Sequence, residues 1–235
     1  MFSVLILHTE ENYKIQNKLL SKGNSVELSR IPEKKLMASP KTLQRIEKKI
    51  KPSTGKITFL GKGDYHYITY LFLKKIDKPF TLIVFDNHLD SKPLFNGEFI
   101  SCGSWINHAL KLKHLEKAVV VMPTPEETGN SKLITLNYNP EKIREIAEQS
   151  ENLYISIDKD ILDKRYVNTN WDQGNFSPEM IYNLIKQIPP EKIMGIDVCG
   201  EPEDRDFFEN KKSERINLAI LREFSAPVRR RDIAS

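Results

Sequence analysis

The chain is poor in the features that mark secreted, membrane-spanning and nucleotide-binding proteins. It has only two cysteines, Cys102 and Cys199, among 235 residues, too few for a disulfide scaffold and typical of a reducing compartment. No segment approaches the run of about 18 apolar residues that a membrane-spanning helix needs. The apolar residues 1–8 lack a basic leader and a small-residue cleavage site, and therefore predict a strand instead of a signal peptide. We expect a cytoplasmic protein with no membrane partner.

The chain also lacks the patterns of a nucleic-acid-binding protein. Its formal net charge is +4, and the basic residues are spread out, without interleaved aromatics in a recognisable module. The one basic cluster, Arg229-Arg230-Arg231, is interpreted as a solvated terminus. Neither a P-loop nor a Rossmann glycine pattern occurs. We therefore predict no nucleic-acid partner and no cradle for a phosphate group.

Apolar strand-like segments alternate with helical patterns along the chain. The strand-like segments are 2–8, 56–60, 80–85, 118–122, 132–136, 152–157 and 192–198, and the helical ones are 39–50, 65–75, 104–115, 140–149, 178–188 and 204–223. This alternation predicts an α/β fold in which helices cover both faces of a largely parallel sheet. No linker or repeat divides the sequence, so we predict a single domain over residues 1–235.

Acidic residues and a histidine follow directly on the most apolar strand-like segment. Residues 81–85 run into Asp86, His88 and Asp90, which alternate with other residues. Alternation directs the three side chains to one side, just beyond the carboxyl end of the strand, where open α/β sheets place their sites. Two carboxylates and an imidazole packed so closely repel and desolvate one another unless a cation lies between them.

The same pattern recurs at two more strand ends. The segment 153–157 runs into Asp158 and Asp160, with Asp163 close behind, and the short strand at 56–60 runs into a glycine turn that leads to His66. Each acid could instead cap a helix or solvate a loop, but three strand ends with the same chemistry favour a shared metal site. Carboxylates and imidazoles suit Mn(II), Fe(II) or Zn(II).

The number of candidate ligands predicts two cations. We assign one cation to His66, Asp86, Asp90 and Asp158, and the other to Asp86, His88, Asp158 and Asp160, so that Asp86 and Asp158 bridge them. Metal coordination lowers the pKa of bound water from about 15.7 to about 7, which provides a nucleophile without serine or cysteine. Such a site suits hydrolysis of guanidines, amides or phosphate esters, and the missing phosphate cradle favours C–N bonds.

These motifs resemble the arginase/agmatinase (ureohydrolase) family of the arginase–deacetylase superfamily. The resemblance rests on four motifs between residues 56 and 201: Gly63-Asp64-Tyr65-His66, Asp86-Asn87-His88-Leu89-Asp90, Ser156-Ile157-Asp158-Lys159-Asp160-Ile161-Leu162-Asp163 and Asp197-Val198-Cys199-Gly200-Glu201. It implies a three-layer α/β sandwich, two Mn²⁺ per chain, and hydrolysis of a guanidino group to an amine and urea by a metal-bridging hydroxide. It also implies that Asp160 orients that hydroxide.

The sequence departs from the family pattern in ways that bear on the substrate. His66 follows Asp64 by two residues instead of one, so either the turn is bulged or His66 is not a ligand. The family's proton-shuttle histidine is absent, and Glu201 lies one residue after the expected substrate-binding glutamate, because Gly200 fills that slot. Free arginine is therefore not the expected substrate. The chain is more similar to divergent members that include peptide arginases, acting on arginine residues of a peptide.

Three further residues are candidates for substrate binding or catalysis. Glu201 could pair with a guanidinium cation, or it could simply be part of the acidic start of the last helix. Asp172 follows a tryptophan in a loop suited to a pocket rim. Cys102 could line the site, which we favour, or act as a nucleophile. We expect Asp163 and Asp64 to brace their loops.

Two other functions remain open from the sequence. A single-metal deacetylase of the same superfamily would need only Asp86, His88 and a later aspartate. A non-catalytic member would bind a ligand or partner at a degenerate site. In either hydrolase case the expected partner is a small molecule or peptide, and a homo-oligomer stays open.

Overall fold

Eight parallel strands form one sheet in the computed structural model, which describes residues 3–51, 55–94 and 97–225. The strand order is β2-β1-β4-β10-β9-β5-β7-β8, and each neighbouring pair is parallel. The strands are β1 (Val4–His8), β2 (Asn24–Glu27), β4 (Ile57–Phe59), β5 (Phe80–Phe85), β7 (Leu115–Val121), β8 (Leu133–Leu136), β9 (Leu153–Asp158) and β10 (Ile193–Cys199). Two short strands, β3 (Met37–Ala38) and β6 (Ile100–Ser101), pair antiparallel outside the sheet.

Helices cover both faces of this sheet. Buried residues of α5 (Pro140–Gln149), α6 (Pro178–Ile185) and α7 (Phe207–Ser225) pack in one apolar cluster, and those of α2 (Pro40–Ile50), α3 (Thr69–Leu73) and α4 (Trp105–Ala109) pack in another. Along β5 the side chains alternate between the two clusters: Ile83 lies in the first, and Leu82 and Val84 lie in the second. A short α1 (Asn17–Leu20) packs against α7. The predicted three-layer α/β sandwich with a parallel sheet is confirmed.

Three helices begin with a capping side chain followed by a proline. The side chains of Ser39, Asn139 and Ser177 accept hydrogen bonds from backbone amides of the first turns of α2, α5 and α6, and a proline follows each of them. The cap satisfies an amide that has no partner within the helix, and proline has no amide to leave unpaired.

The structure differs from the sequence prediction in several elements. The short β3, β6 and α1 are absent from the prediction. So is β2, whose pattern is weak because it lies at the sheet edge and buries only Val26. The predicted helix 65–75 is a 3-10 turn (Gly63–Ile68) followed by the short α3. The predicted helix 104–115 ends at Ala109, because Leu115 already pairs with Phe80 in the sheet. The last helix begins at Phe207 instead of residue 204.

Two further predictions concern the ends of the chain and its relation to membranes. Residue 2 and the Arg229-Arg230-Arg231 cluster lie outside the described residues. No helix within the described ranges is long and apolar enough to cross a bilayer.

Candidate metal centre

The strand ends that carry the predicted ligands are neighbours in the sheet. β9 lies between β5 and β10, with Phe85 beside Ile157 and Asp158 beside Cys199. Because all three strands are parallel, their carboxyl ends meet at one edge, and Asp86 and Asp158 reach the same space. The 3-10 turn Gly63–Ile68, which follows β4, carries His66 to that edge. The topology therefore brings together the motifs that the sequence separates.

His66 lies in the middle of three carboxylates. Its Nδ1 is 3.1 Å from Asp86 Oδ2, 3.3 Å from Asp90 Oδ2 and 3.5 Å from Asp158 Oδ2. The ring is fully buried. The two-residue spacing from Asp64 is accommodated by the 3-10 turn, and so His66 does reach the acids.

A chain of hydrogen bonds fixes the tautomer of His66. Asp197 accepts from the hydroxyls of Ser156, at 2.5 Å, and Tyr154, at 2.9 Å. Since an ionised carboxylate only accepts, the Ser156 hydroxyl donates to Asp197 and its oxygen accepts from His66 Nε2, 2.8 Å away. In the neutral ring the proton is thereby held on Nε2, and the Nδ1 lone pair faces the acids. Such support of a histidine from behind is typical of metal ligands.

His88 pairs with the second group of acids. Its Nδ1 is 2.8 Å from Asp160 Oδ2 and 3.6 Å from Asp86 Oδ1. The hydrogen bond to Asp160 and the nearby Asp86 carboxylate raise the pKa of His88 to about 11. The side chain is about one-third exposed, at 34%, so this half of the site is open to solvent.

Backbone amides orient three of the four carboxylates. Asp86 Oδ1 accepts from the amide of His88, Asp158 Oδ1 from that of Asp160, and Asp160 Oδ1 from that of Asn87, at 2.7–3.0 Å. Each of these bonds uses one oxygen of a carboxylate. The other oxygen of each acid is left to face the two histidines.

The fourth carboxylate, that of Asp90, is held by a tryptophan. Trp105 Nε1 donates to Asp90 Oδ2 at 2.9 Å. The backbone of Asp90 has a positive φ of 49°, a conformation that aspartate adopts more readily than most residues. This turn directs Asp90 back towards His66.

Burial and mutual repulsion raise the pKa values of the acids. Burial and then Asp160 raise the pKa of Asp158 to about 6. Burial and then Asp86 raise that of Asp160 to about 7, and burial and then Asp90 raise that of Asp86. A divalent cation between these groups would offset both causes.

The donor set fits divalent metal ions. His66 Nδ1 and Asp86 Oδ2 are buried and lie 3.1 Å apart, but neither makes a hydrogen bond of acceptable geometry, which is costly for polar atoms unless a ligand satisfies them. Two ligand groups share Asp86: His66 with Asp86 and Asp90, and Asp86 with His88 and Asp160. A third group, His66 with Asp158 and Cys199, adds Asp158. The six predicted ligands are thus brought together, and these clusters could hold metal ions. Their assignment to two specific cations stays a prediction.

A cavity of about 220 Å³ lies over these residues. Its lining includes His88, Asp90, Asp158, Asp160, Cys102 and Trp171. Cys102 therefore lines the site, which is the role favoured from the sequence. Burial and then Asp90 raise the pKa of its thiol to about 12. Asp172 is exposed and does not line the cavity; its carbonyl accepts from Asn87 Nδ2. Its neighbour Trp171 lies on the cavity wall instead.

Glu201 lies behind the loop 158–160 and outside the cavity. Its carboxylate is fully buried and pairs with Lys159. It also accepts from Gln16 Nε2 at 2.6 Å, Ser213 Oγ at 2.8 Å and Asn217 Nδ2 at 2.8 Å. With both oxygens occupied, Glu201 does not face a substrate, contrary to its predicted catalytic and substrate-binding roles.

Gly200 explains why no side chain from this turn enters the cavity. Its φ is +80°, and a Cβ atom at this position would lie 2.3 Å from Asp158 Oδ1. A glutamate at position 200 would therefore collide with Asp158. The chain turns at this glycine, and Glu201 points into the core.

Two supporting acids lie in other places than expected. Asp163 pairs with its neighbour Arg165 at 2.9 Å, and its contacts do not brace Asp158 or Asp160. Asp64 accepts from Asn170 Nδ2 at 3.0 Å and Trp171 Nε1 at 2.9 Å. Asp64 therefore holds in place the loop segment 170–171, whose Trp171 lines the cavity.

The comparisons with known proteins agree with this geometry. Residues 6–202 match the arginase family, and the chain belongs to that family. It is 42% identical over 209 residues to an uncharacterized protein of Thermotoga maritima, covering 89% of this chain and 84% of that one.

The solved structures with the same fold include a ureohydrolase, an amidino hydrolase and an arginase. Proclavaminate amidino hydrolase from Streptomyces clavuligerus superposes with a TM-score of 0.67 at 14% identity, covering 95% of this chain and 92% of that chain. Agmatine ureohydrolase of Thermoplasma volcanium gives 0.68 at 14% identity, with coverages of 94% and 89%. Arginase from Bacillus subtilis gives 0.64 at 12% identity, with coverages of 97% and 99%. At these identities the likeness establishes the fold.

Sequence reasoning missed several residues around the site. Asp197 and Ser156 were quoted only as parts of motifs, and their hydrogen-bond relay to His66 depends on the register of β9 and β10. The sequence assigns no role to Cys199 beyond its place in the last motif, although its Sγ lies 3.1 Å from Asp158 Oδ2. Lys159 is a sequence signal for the buried ion pair with Glu201. It is a cation between two acids, Asp158 and Asp160, directly after an apolar strand.

Proposed function

We propose that this protein is a metal-dependent hydrolase that cleaves a guanidino C–N bond and releases urea. The observation that carries the proposal is the pair of ligand groups that share Asp86 at the base of an open cavity. The arginase-family match supports hydrolysis of a C–N bond outside a peptide backbone.

Six residues would hold two cations, with Mn²⁺ the first expectation and Fe²⁺ or Zn²⁺ the alternatives. His66, Asp86, Asp90 and Asp158 would hold one, and Asp86, His88, Asp158 and Asp160 would hold the other. When bound, such ions lower the pKa of coordinated water towards neutrality and supply a nucleophile.

The residues around the ligands bind the cationic substrate and handle the protons. The carboxylates favour a guanidinium group, and the Trp171 ring, 5.9 Å from that of His88, forms an aromatic wall beside it. Water adds to the guanidinium carbon, and one C–N bond breaks to give an amine and urea. Asp160, oriented by the Asn87 amide, accepts the proton of the attacking water and can return it to the departing nitrogen.

The cavity rim favours a substrate larger than free arginine. Lys92 and Glu126 line the cavity and are exposed, so the entrance is charged and reachable from solvent. No side chain from the Gly200 turn closes the cavity. An arginine residue within a peptide is therefore the first proposed partner in the cytoplasm, and a small guanidino compound is the alternative.

A urea assay tests the proposal. Metal-free protein loaded with Mn²⁺ is incubated with arginine-containing peptides, agmatine or free arginine. We expect urea from at least one substrate and a loss of about 100-fold or more in Asp160→Asn, because a positioned acid–base group contributes about 10²–10⁴-fold. Asp163→Asn is the matched control, since Asp163 contacts Arg165 instead of the site. Absence of urea from every guanidino compound would contradict the proposal.

Metal content separates the proposed site from that of a single-metal deacetylase. We expect elemental analysis of the loaded protein to find about two ions per chain, because the six proposed ligands divide into one set around His66 and one around His88. A value near one per chain, with acetyl-lysine hydrolysis and no urea, would favour the deacetylase.

A further inference from the structure

Cys199 occupies a place at the metal centre that the proposed ligand sets leave unused. It is the last residue of β10, its Cα partner is Asp158 in β9, and its side chain is fully buried. Its Sγ lies 3.1 Å from Asp158 Oδ2. The strand register therefore fixes a sulfur atom directly beside a proposed bridging carboxylate.

The sulfur also lies within reach of His66. His66, Asp158 and Cys199 each offer a ligand atom, and these atoms lie within 4.8 Å of one another. Asp158 Oδ2 is in addition 3.5 Å from His66 Nδ1. That nitrogen is buried without a hydrogen-bond partner, and the Ser156 relay holds its lone pair towards the acids. An imidazole nitrogen, a carboxylate oxygen and a thiol thus surround one point.

We propose that Cys199 binds, as a thiolate, the ion that is held by His66 and Asp158. The inference rests on the metal centre of the proposed function and assigns one further ligand to it. As the ion binds, the S–H proton is released to solvent and a metal–sulfur bond forms. No oxidation step is involved.

A sulfur ligand would change which metal this subsite selects. Thiolate is a soft ligand that favours Zn²⁺ and Co²⁺, whereas Mn²⁺ favours carboxylate oxygen and water. A subsite of oxygen and nitrogen alone would discriminate less between these ions. The proposal therefore predicts that the His66 subsite prefers Zn²⁺ or Co²⁺ to Mn²⁺, while the His88 subsite keeps its oxygen-rich character.

The competing role for Cys199 is hydrogen bonding alone. The thiol could donate to Asp158 Oδ2 and only orient that carboxylate, which a serine hydroxyl would do as well. Only direct coordination gives a metal–sulfur bond, so spectroscopy of the bound metal separates the two roles without any measurement of activity.

Cobalt titration of the metal-free protein tests the proposal. Visible d–d absorption reports that Co²⁺ is bound, and near-ultraviolet sulfur-to-cobalt charge transfer reports a thiolate ligand. We expect both in the wild-type protein, and we expect Cys199→Ser to lose the charge-transfer band while it keeps the d–d bands. Cys102→Ser is the matched control, because Cys102 lines the cavity and is the only other cysteine; it should keep both.

Each other outcome overturns the inference, and the pattern shows what fails with it. Visible bands without charge transfer would overturn sulfur ligation and leave the metal centre standing. Loss of the band in Cys102→Ser would assign the sulfur to Cys102. No cobalt bands at all would overturn the metal centre as well.

A second measurement covers the case in which Cys199→Ser does not fold. Zinc-edge X-ray absorption of the Cys102→Ser protein, in which Cys199 is the one remaining cysteine, should show a sulfur neighbour at about 2.3 Å. A zinc shell of oxygen and nitrogen only would overturn the proposal.

Discussion

Two clusters of charged residues lie on opposite sides of the loop 158–160. The front cluster consists of the six proposed metal ligands, and the rear cluster consists of Lys159, Glu201, Ser213 and Asn217. They differ in how many of their buried polar atoms have hydrogen-bond partners. In front, His66 Nδ1 and Asp86 Oδ2 have no hydrogen-bond partner. Behind, Lys159 donates to Glu201, Ser213 and Asn217, so each ammonium proton has an acceptor.

The difference distinguishes a candidate metal-binding site from a structural cluster of ion pairs and hydrogen bonds. Buried charges that are fully paired gain nothing from a ligand, whereas buried carboxylates that repel one another gain from a cation. The rear cluster joins the loop 158–160 to α7, because Lys159 contacts Ser213 and Asn217 of that helix. The front cluster opens into the cavity. Buried charged residues thus stabilise the fold on one side and are available for chemistry on the other.

The largest expected effect comes from breaking the rear cluster. Glu201→Gln leaves the Lys159 ammonium buried without its counter-charge, and we expect a loss of about 3–5 kcal/mol in the free energy of unfolding. The double variant Lys159→Met/Glu201→Leu should lose much less, because no charge is left unpaired. Urea denaturation of the metal-free proteins measures both. A single variant within 1 kcal/mol of wild type, as an estimate against typical surface changes, would contradict the prediction.

The front cluster should respond to pH in the metal-free protein. The folded-state pKa values of Asp158 and Asp160, about 6 and about 7, lie above the ordinary value of 3.8. Their contribution to stability is therefore fully present below pH 4 or so and is lost as the pH rises through 6 and 7. We expect these two acids to lower stability by about 2–4 kcal/mol between pH 5 and pH 8.

Bound metal should offset that loss of stability at higher pH. Mn²⁺ binds the ionised acids, so its stabilisation of the protein should be larger at pH 8 than at pH 5. Thermal unfolding with chelator and with Mn²⁺ at both pH values measures the effect. Equal stabilisation by Mn²⁺ at both pH values would show that these acids do not bind the ion.

A smaller effect is expected from the relay behind His66. Ser156→Ala removes the acceptor for His66 Nε2 and the donor to Asp197. Loss of such a supporting contact typically lowers metal affinity by about 10–100-fold. Isothermal titration with Mn²⁺ measures it. Tyr154→Phe, which contacts Asp197 but not His66, should change the affinity less, and equal losses in the two variants would argue against tautomer control.

The smallest effect should come from an exposed ion pair that matches the rear cluster in charge but not in burial. Lys142 and Glu145 lie 2.8 Å apart on α5, with side chains 44% and 50% exposed. Lys142→Gln should change the free energy of unfolding by less than about 0.5 kcal/mol. Urea denaturation beside Glu201→Gln gives the direct comparison. A loss as large as that of Glu201→Gln would remove burial as the cause of the difference.

The ligands could be predicted because their positions follow from local rules. Strand periodicity and the parallel sheet place residues that follow strand ends at one edge, and Asp86, His88, Asp158 and Asp160 are found there. The relay from His66 to Asp197 could not be predicted in the same way. It needs contacts 90 and 41 residues apart in sequence, which depend on the neighbours of β9 in the sheet.

The position of Glu201 shows where local reasoning fails. Its place after the last strand suggested a side chain facing substrate, with a helix-start acid as the alternative. The positive φ of Gly200 turns the chain, and the rear cluster supplies three donors besides Lys159. Asp172 and Trp171 are a second example. Asp172 was expected at the pocket rim, but Trp171 lines the cavity and Asp172 is exposed outside it. In an irregular loop, sequence alone does not fix which way adjacent side chains point.

The sequence by itself determined the alternating α/β architecture and the chemical character of the strand ends, because hydrophobic periodicity and the spacing of acids are local properties of the chain. Only the tertiary structure decided which oxygen of each carboxylate faces the centre, which nitrogen of His66 is free, that Cys199 lies beside Asp158, and that Glu201 belongs to the core. Those outcomes depend on strand order, register and burial, which bring distant residues together and fix the direction of each side chain.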